Sequence, residues 1–167
     1  MEDLAILSQL LSSLAVLGTL IYLGIEIRQN TAAQRAATRL GLQNAAMSEM
    51  HKLVDHPDIY LCLDKTAPLT PEEAAGLNSW LVAFTRHMEY AWLQDKSGAA
   101  ERYVWQAERR VLRNVLGARR SRMWWQEIGR HVRSPEFASE VDAALESAPL
   151  TEVHRRVLAW GSASLEG

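Results

Sequence analysis

Between Asp3 and Glu26 the chain runs for 22 residues without a charge, LAILSQLLSSLAVLGTLIYLGI. As a helix this stretch spans about 33 Å, at about 1.5 Å per residue. The hydrocarbon core of a bilayer is about 30 Å thick. Twelve of the 22 residues are Leu, Ile or Val. At roughly −0.3 to −0.6 kcal/mol each near a helix centre, they favour insertion by a few kcal/mol even after the polar residues are subtracted. The length and the missing charge together predict a membrane-spanning helix. The competing prediction is a soluble zipper, which would normally carry charges beside its apolar seam.

The flanks favour a retained anchor over a cleaved signal. Glu2 and Asp3 stand where a signal peptide needs positive charge, and no A-x-A site follows the apolar run. Arg28, Arg35 and Arg39 come after it. The positive-inside rule then predicts an outward N-terminus and a cytoplasmic body.

The polar residues of the span are ordered. Ala5, Ser8, Ser12, Ala15, Thr19, Tyr22 and Glu26 follow one another at spacings of 3 and 4. That seven-residue repeat suits left-handed helix packing. In lipid, small and hydroxyl residues mark the face where helices approach. Ala5, Ser8, Ser12, Ala15 and Thr19 are therefore the expected helix–helix interface, and the expected partner is a second copy. Glu26 and Arg28 sit at the junction with the aqueous phase. If several anchors enclose a water path, Ser8, Ser12, Thr19 and a ring of Glu26 would line a cation-selective pore.

The chain as a whole has the composition of an ordinary globular protein, 23% charged with a net charge of −2. One cysteine, Cys62, excludes an intrachain disulfide and any multi-cysteine metal site. Of 18 basic residues 15 are Arg, a bias that a GC-rich genome alone would produce.

Helical patterns fill the remainder. The first helix is expected to run from about Asp3 to about Val54, with a kink near Asn30 and Thr31. Ala36, Ala37, Leu40, Met47, Met50 and Val54 are expected to face the later helices. Pro57 starts a short new helix. Thr70, Pro71 and Glu73 form a capping box ahead of Leu77, Leu81, Phe84, Met88 and Ala91, and Gly98 ends that helix. The next helix points Val104, Val111, Leu112, Val115 and Leu116 inward. A shorter one follows over 119–132. Ser134 and Pro135 start another, and a last one is expected over Leu150–Trp160. No strand-like alternation occurs. The prediction is an all-α protein: residues 1–27 as a transmembrane, oligomerising helix, 28–160 as a cytoplasmic bundle of about five further helices, and 161–167 as a flexible tail.

No nucleotide loop, zincin motif or nucleophile elbow is present. The five histidines are dispersed, so no metal site, cofactor or catalytic residue is expected. Arg86 and Glu89 read as a structural ion pair, locally or with Arg109 or Arg113. From Glu101 to Arg133 nine Arg face three Glu, with Trp105, Trp124 and Trp125 interleaved. Arg109, Arg110, Arg113, Arg119, Arg120 and Arg122 are the candidate contacts for anionic lipid headgroups. A face of arginines paired within the bundle is the simpler account, and nucleic acid is the least favoured ligand.

LIYLGIEIRQNTAAQRAAT, FTRHMEY, WW and SPEF with VDAAL resemble a widespread group of small bacterial proteins with an apolar N-terminal helix, an IYLxxxxRQN junction and a helical body. That group has no assigned activity. The resemblance implies a topology and a family-like junction at Arg28, Gln29 and Asn30, without a role for it. The functional expectation is a self-associating, membrane-anchored scaffold at the inner face of a bacterial membrane. A pore-forming oligomer and a soluble oligomer are the alternatives.

Overall fold

The computed structural model describes residues 2–100, 102–146, 148–151, 157 and 159–162, without the side chains of residues 2–5 and 8. Among them are six α-helices: α1 Glu2–Asp55, α2 Pro57–Cys62, α3 Pro71–Lys96, α4 Arg102–Gly117, α5 Arg119–Glu127 and α6 Pro135–Glu146. A 3-10 helix covers Gly129–Val132. The protein is all-α, a long N-terminal helix followed by a helical body. Described residues form no strand, and an isolated bridge joins Ala118 to Thr151. The helix expected over Leu150–Trp160 and the tail fall mostly outside the described residues. The chain divides into two units, Met1–Arg39 and Leu40–Gly167.

In the first unit the helix continues without interruption past Asn30 and Thr31. The hydroxyls of Ser13, Thr19 and Thr31 each donate to the carbonyl four residues back. This satisfies each hydroxyl within the helix itself.

In the second unit α3 is the central helix. Its start is set by the capping box: the Glu73 amide donates to Thr70 Oγ1 (3.2 Å), and the Thr70 amide donates to Glu73 Oε2 (2.9 Å). Lys65 Nζ also reaches both Glu73 oxygens at 2.6 and 2.7 Å. The Lys65 bond, then the Thr70 amide, holds the Glu73 carboxyl below the usual carboxylate range. At the other end Gly98 takes φ +70°, the left-handed conformation that favours glycine after a helix. Leu77, Leu81, Phe84, Met88 and Ala91 are all buried, as their spacing predicts.

Two expectations are corrected. Leu40, Met47, Met50 and Val54 are not buried in the body; they are 58%, 50%, 57% and 73% exposed. Ala36 and Ala37 are exposed as well. The face of α1 that enters the core carries Leu42, 3% exposed, and Leu53, partly buried against the same core. This part of α1 has two apolar stripes, and spacing alone does not choose between them. Val111, expected inward on α4, is 46% exposed, whereas Leu112 and Leu116 are buried.

Indoles fill much of the core. Trp124 Nε1 donates to Asn78 Oδ1 (2.9 Å) and Trp125 Nε1 to Asp142 Oδ1 (2.8 Å), so both rings are fixed at the edge as well as packed. Gly129 lies directly beneath them. A Cβ there would meet the Trp124 ring and stand 2.8 Å from Trp125 Cε3. The tethered rings cannot retreat. Gly129→Ala is therefore expected to cost about 1–3 kcal/mol in denaturant unfolding. A loss under about 0.5 kcal/mol would show that the rings move aside.

Candidate functional site

Three regions bear on function, and the first is the surface of the N-terminal helix. Ile6, Leu7 and residues 9–27 are exposed over their whole run. Leu11 is 67% exposed, Leu14 64%, Ile21 65% and Ile27 64%. Ser12, Ala15, Thr19, Glu26 and Arg28 lie on this exposed helix, while the side chains of Ala5 and Ser8 are outside the described residues. Among the described residues one helix is long and apolar enough to cross a membrane, and it is this one.

The second region is the arginine-rich segment, which the fold takes apart. Arg109 Nε donates to Glu140 Oε1 at 2.7 Å. Arg120 caps a turn by donating to the carbonyls of Lys65, Thr66 and Ala67. Arg122 donates to the Ala148 carbonyl (3.0 Å). Arg130 pairs with Asp142 and Arg133 with Glu89. The Glu89 partner is thus Arg133 rather than Arg86, Arg109 or Arg113. Arg110 and Arg119 remain exposed and Arg113 half-buried, with no partner for them among the described residues. The segment's charge excess is thus largely structural, and three of the six candidate headgroup contacts are bonded within the fold.

The third region is a pocket inside the second unit that the sequence reading missed. Its volume is about 410 Å³, in the range of small-molecule sites. The last turns of α1 supply Ala46, Glu49, Met50 and Leu53; α3 supplies Trp80, Phe84, His87 and Met88; α4 supplies Glu108, Val111 and Val115. Trp80 and Phe84 stack at 5.3 Å between centroids, giving one wall a continuous aromatic face. Four polar atoms of the wall are buried without a hydrogen-bond partner among the described residues of the protein: Glu49 Oε2, Trp80 Nε1 and both ring nitrogens of His87. The His87 side chain is 5% exposed, and its Nε2 stands 3.9 Å from Glu108 Oε2, beyond hydrogen-bond reach. Glu49 spends its other oxygen on Lys52 Nζ (2.9 Å).

An unpartnered buried donor or acceptor typically costs about 1–3 kcal/mol. Four in one pocket mark its wall as the place in the body where polar atoms look outside the protein for their partners. The sequence did carry a signal. Trp80, Phe84, His87 and Met88 share one face of α3, and Glu49 lies between Leu42 and Leu53 on the inward face of α1. Each reads as ordinary core until the helices are brought together. No group of three or more metal-ligating side chains occurs among the described residues.

With the geometry in hand, comparison with known proteins returns nothing: no family model, curated protein or solved structure matches the chain.

Proposed function

We propose that the chain is a single-pass membrane protein that self-associates through its N-terminal helix and presents its helical body as an interaction module. The body lies on the cytoplasmic side of a bacterial inner membrane. The observation that carries this reading is the charge-free span with its described side chains all exposed. A soluble monomer rarely exposes an apolar patch beyond a few hundred Å². Lipid, or a second copy, must cover one this long. Arg28, Arg35 and Arg39, which follow the span, support that orientation.

Register supports a second copy as part of that cover. Counting on from Glu26 by alternate steps of 3 and 4 gives Gln29, Ala33, Ala36, Leu40, Gln43, Met47, Met50 and Val54. The seam is mostly small and hydroxylic along the charge-free span, and beyond it Gln29, Ala33, Ala36 and Gln43 are interspersed with the larger apolar residues Leu40, Met47, Met50 and Val54. Small and hydroxyl residues support helix pairing in lipid, and larger apolar residues support it in water. The largely exposed stripe of α1 thus gains a cover that its own body gives only to part of Met50.

Two measurements test the reading. Full-length protein is expected to stay in the membrane fraction after a carbonate wash; recovery in the soluble fraction overturns the anchor. In detergent the full-length particle is expected to weigh a multiple of the protomer, and the form lacking residues 1–27 much less. Equal oligomeric state with and without those residues would place assembly elsewhere.

A further inference from the structure

We infer that the pocket between α1, α3 and α4 binds an apolar organic amine, held as its ammonium form. The inference is independent of the proposed function, because every residue it uses lies within the second unit and the pocket does not need the N-terminal span. Shape comes first. A cavity of about 410 Å³ walled by Trp80, Phe84 and Met88 takes a ring or short hydrocarbon of drug-like size.

Charge then chooses the headgroup. Two carboxylates, Glu49 and Glu108, line the pocket, and no Lys or Arg does. Lys52 engages only Glu49 Oε1, leaving Oε2 buried and bare. An ammonium carries three donors and no acceptor. Its donors match the two carboxylates of the wall, Glu49 with its Oε2 and Glu108, whereas Trp80 Nε1, itself a donor, is not served by it. The stacked Trp80–Phe84 pair offers aromatic faces to the same cation. A carboxylate ligand would instead meet two like charges.

The test uses full-length protein in lipid nanodiscs with two probes that share a ring, tryptamine and indole-3-propionate. Tryptamine is expected to raise the melting temperature of the body by about 4 °C or more near saturation. Indole-3-propionate is expected to leave it within about 1 °C. Glu49→Gln and Glu108→Gln should each weaken tryptamine binding about tenfold, as loss of a charge-assisted bond does. Ala46→Phe or Val115→Phe, whichever keeps the wild-type helical spectrum, fills the cavity and should abolish the shift. Partition of the amine into lipid is common to all variants and cancels in the comparison. No shift with tryptamine, an equal shift with both probes, or a tryptamine shift that survives the filled cavity overturns the inference.

Discussion

Replacing Glu89 with alanine is expected to destabilise the body by about 3–5 kcal/mol, the usual consequence of stranding a buried charge. The stranded charge is Arg133, whose side chain is 2% exposed. Its guanidinium reaches Glu89 Oε2 at 3.4 Å and the Val82 carbonyl at 3.1 Å. Arg133 Nε has no partner, so compensation comes chiefly from the Glu89 carboxylate. The other Glu89 oxygen accepts the Ser134 amide (2.9 Å) and its hydroxyl, at the start of α6. Ser134 therefore spends its hydroxyl on Glu89, and Glu89 meets one of the helix-end amides. Losing that bond adds about 1 kcal/mol. Glu89→Gln keeps an acceptor for Ser134 and loses only the charge, so it should fall between wild type and alanine. Converting both Glu89 and Arg133 to leucine should recover most of the loss. Denaturant unfolding of the four proteins gives the order. A single-alanine cost under about 1 kcal/mol would mean that water reaches Arg133.

The same carboxylate sets an acid limb. Burial pushes the Glu89 carboxyl up, but the bonds from Ser134 and Arg133 outweigh it and leave the group below its ordinary value. Between the folded and unfolded values the unfolded chain binds the extra proton, so stability rises with pH there. The contribution is complete above the unfolded value of about 4.3 and is lost as pH falls through the folded one. Glu89→Gln should flatten that limb.

Local rules that need only neighbours in sequence made most of the fold legible. The Thr70–Glu73 box, Pro57 and Pro135 in first turns and Gly98 after α3 all act within four residues, so reading them needs no tertiary knowledge. Which stripe of α1 meets the body was not legible. Leu40 and Met47 are as apolar as Leu42 and Leu53, and only the placement of the α2–α4 helices decides. The arginine segment misled for the same reason. A charge excess within residues 101–133 is visible, but its partners Glu89, Glu140 and Asp142 lie on other elements. The pocket combines both difficulties, since Glu49, Trp80, His87 and Glu108 come from three helices and each looks commonplace alone.

Phe137→Ala is expected to cost the body about 3–5 kcal/mol, as large-to-alanine changes at sealed aromatic sites do. Phe137 is fully buried on α6. Its ring centroid lies 5.7 Å from that of Trp92, 6.3 Å from Trp105 and 6.5 Å from Trp125, the last edge-on. Those indoles belong to α3, α4 and α5, so one phenyl ring joins four helices. Truncation leaves a cavity that none of the three can close. Trp125 is held through Asp142 Oδ1, and Trp92 carries the Lys96 ammonium 5.6 Å above its ring. The melting temperature should fall by about 10 °C or more, read from near-ultraviolet dichroism of the tryptophans. Phe137→Leu keeps most of the volume and should lose less. Far-ultraviolet dichroism in nanodiscs should behave differently. A helix in lipid keeps its backbone bonds because no water competes for them, so helical signal from the N-terminal span should outlast the tryptophan signal. If both signals vanish together at one temperature, the span depends on the body rather than on the bilayer for its structure.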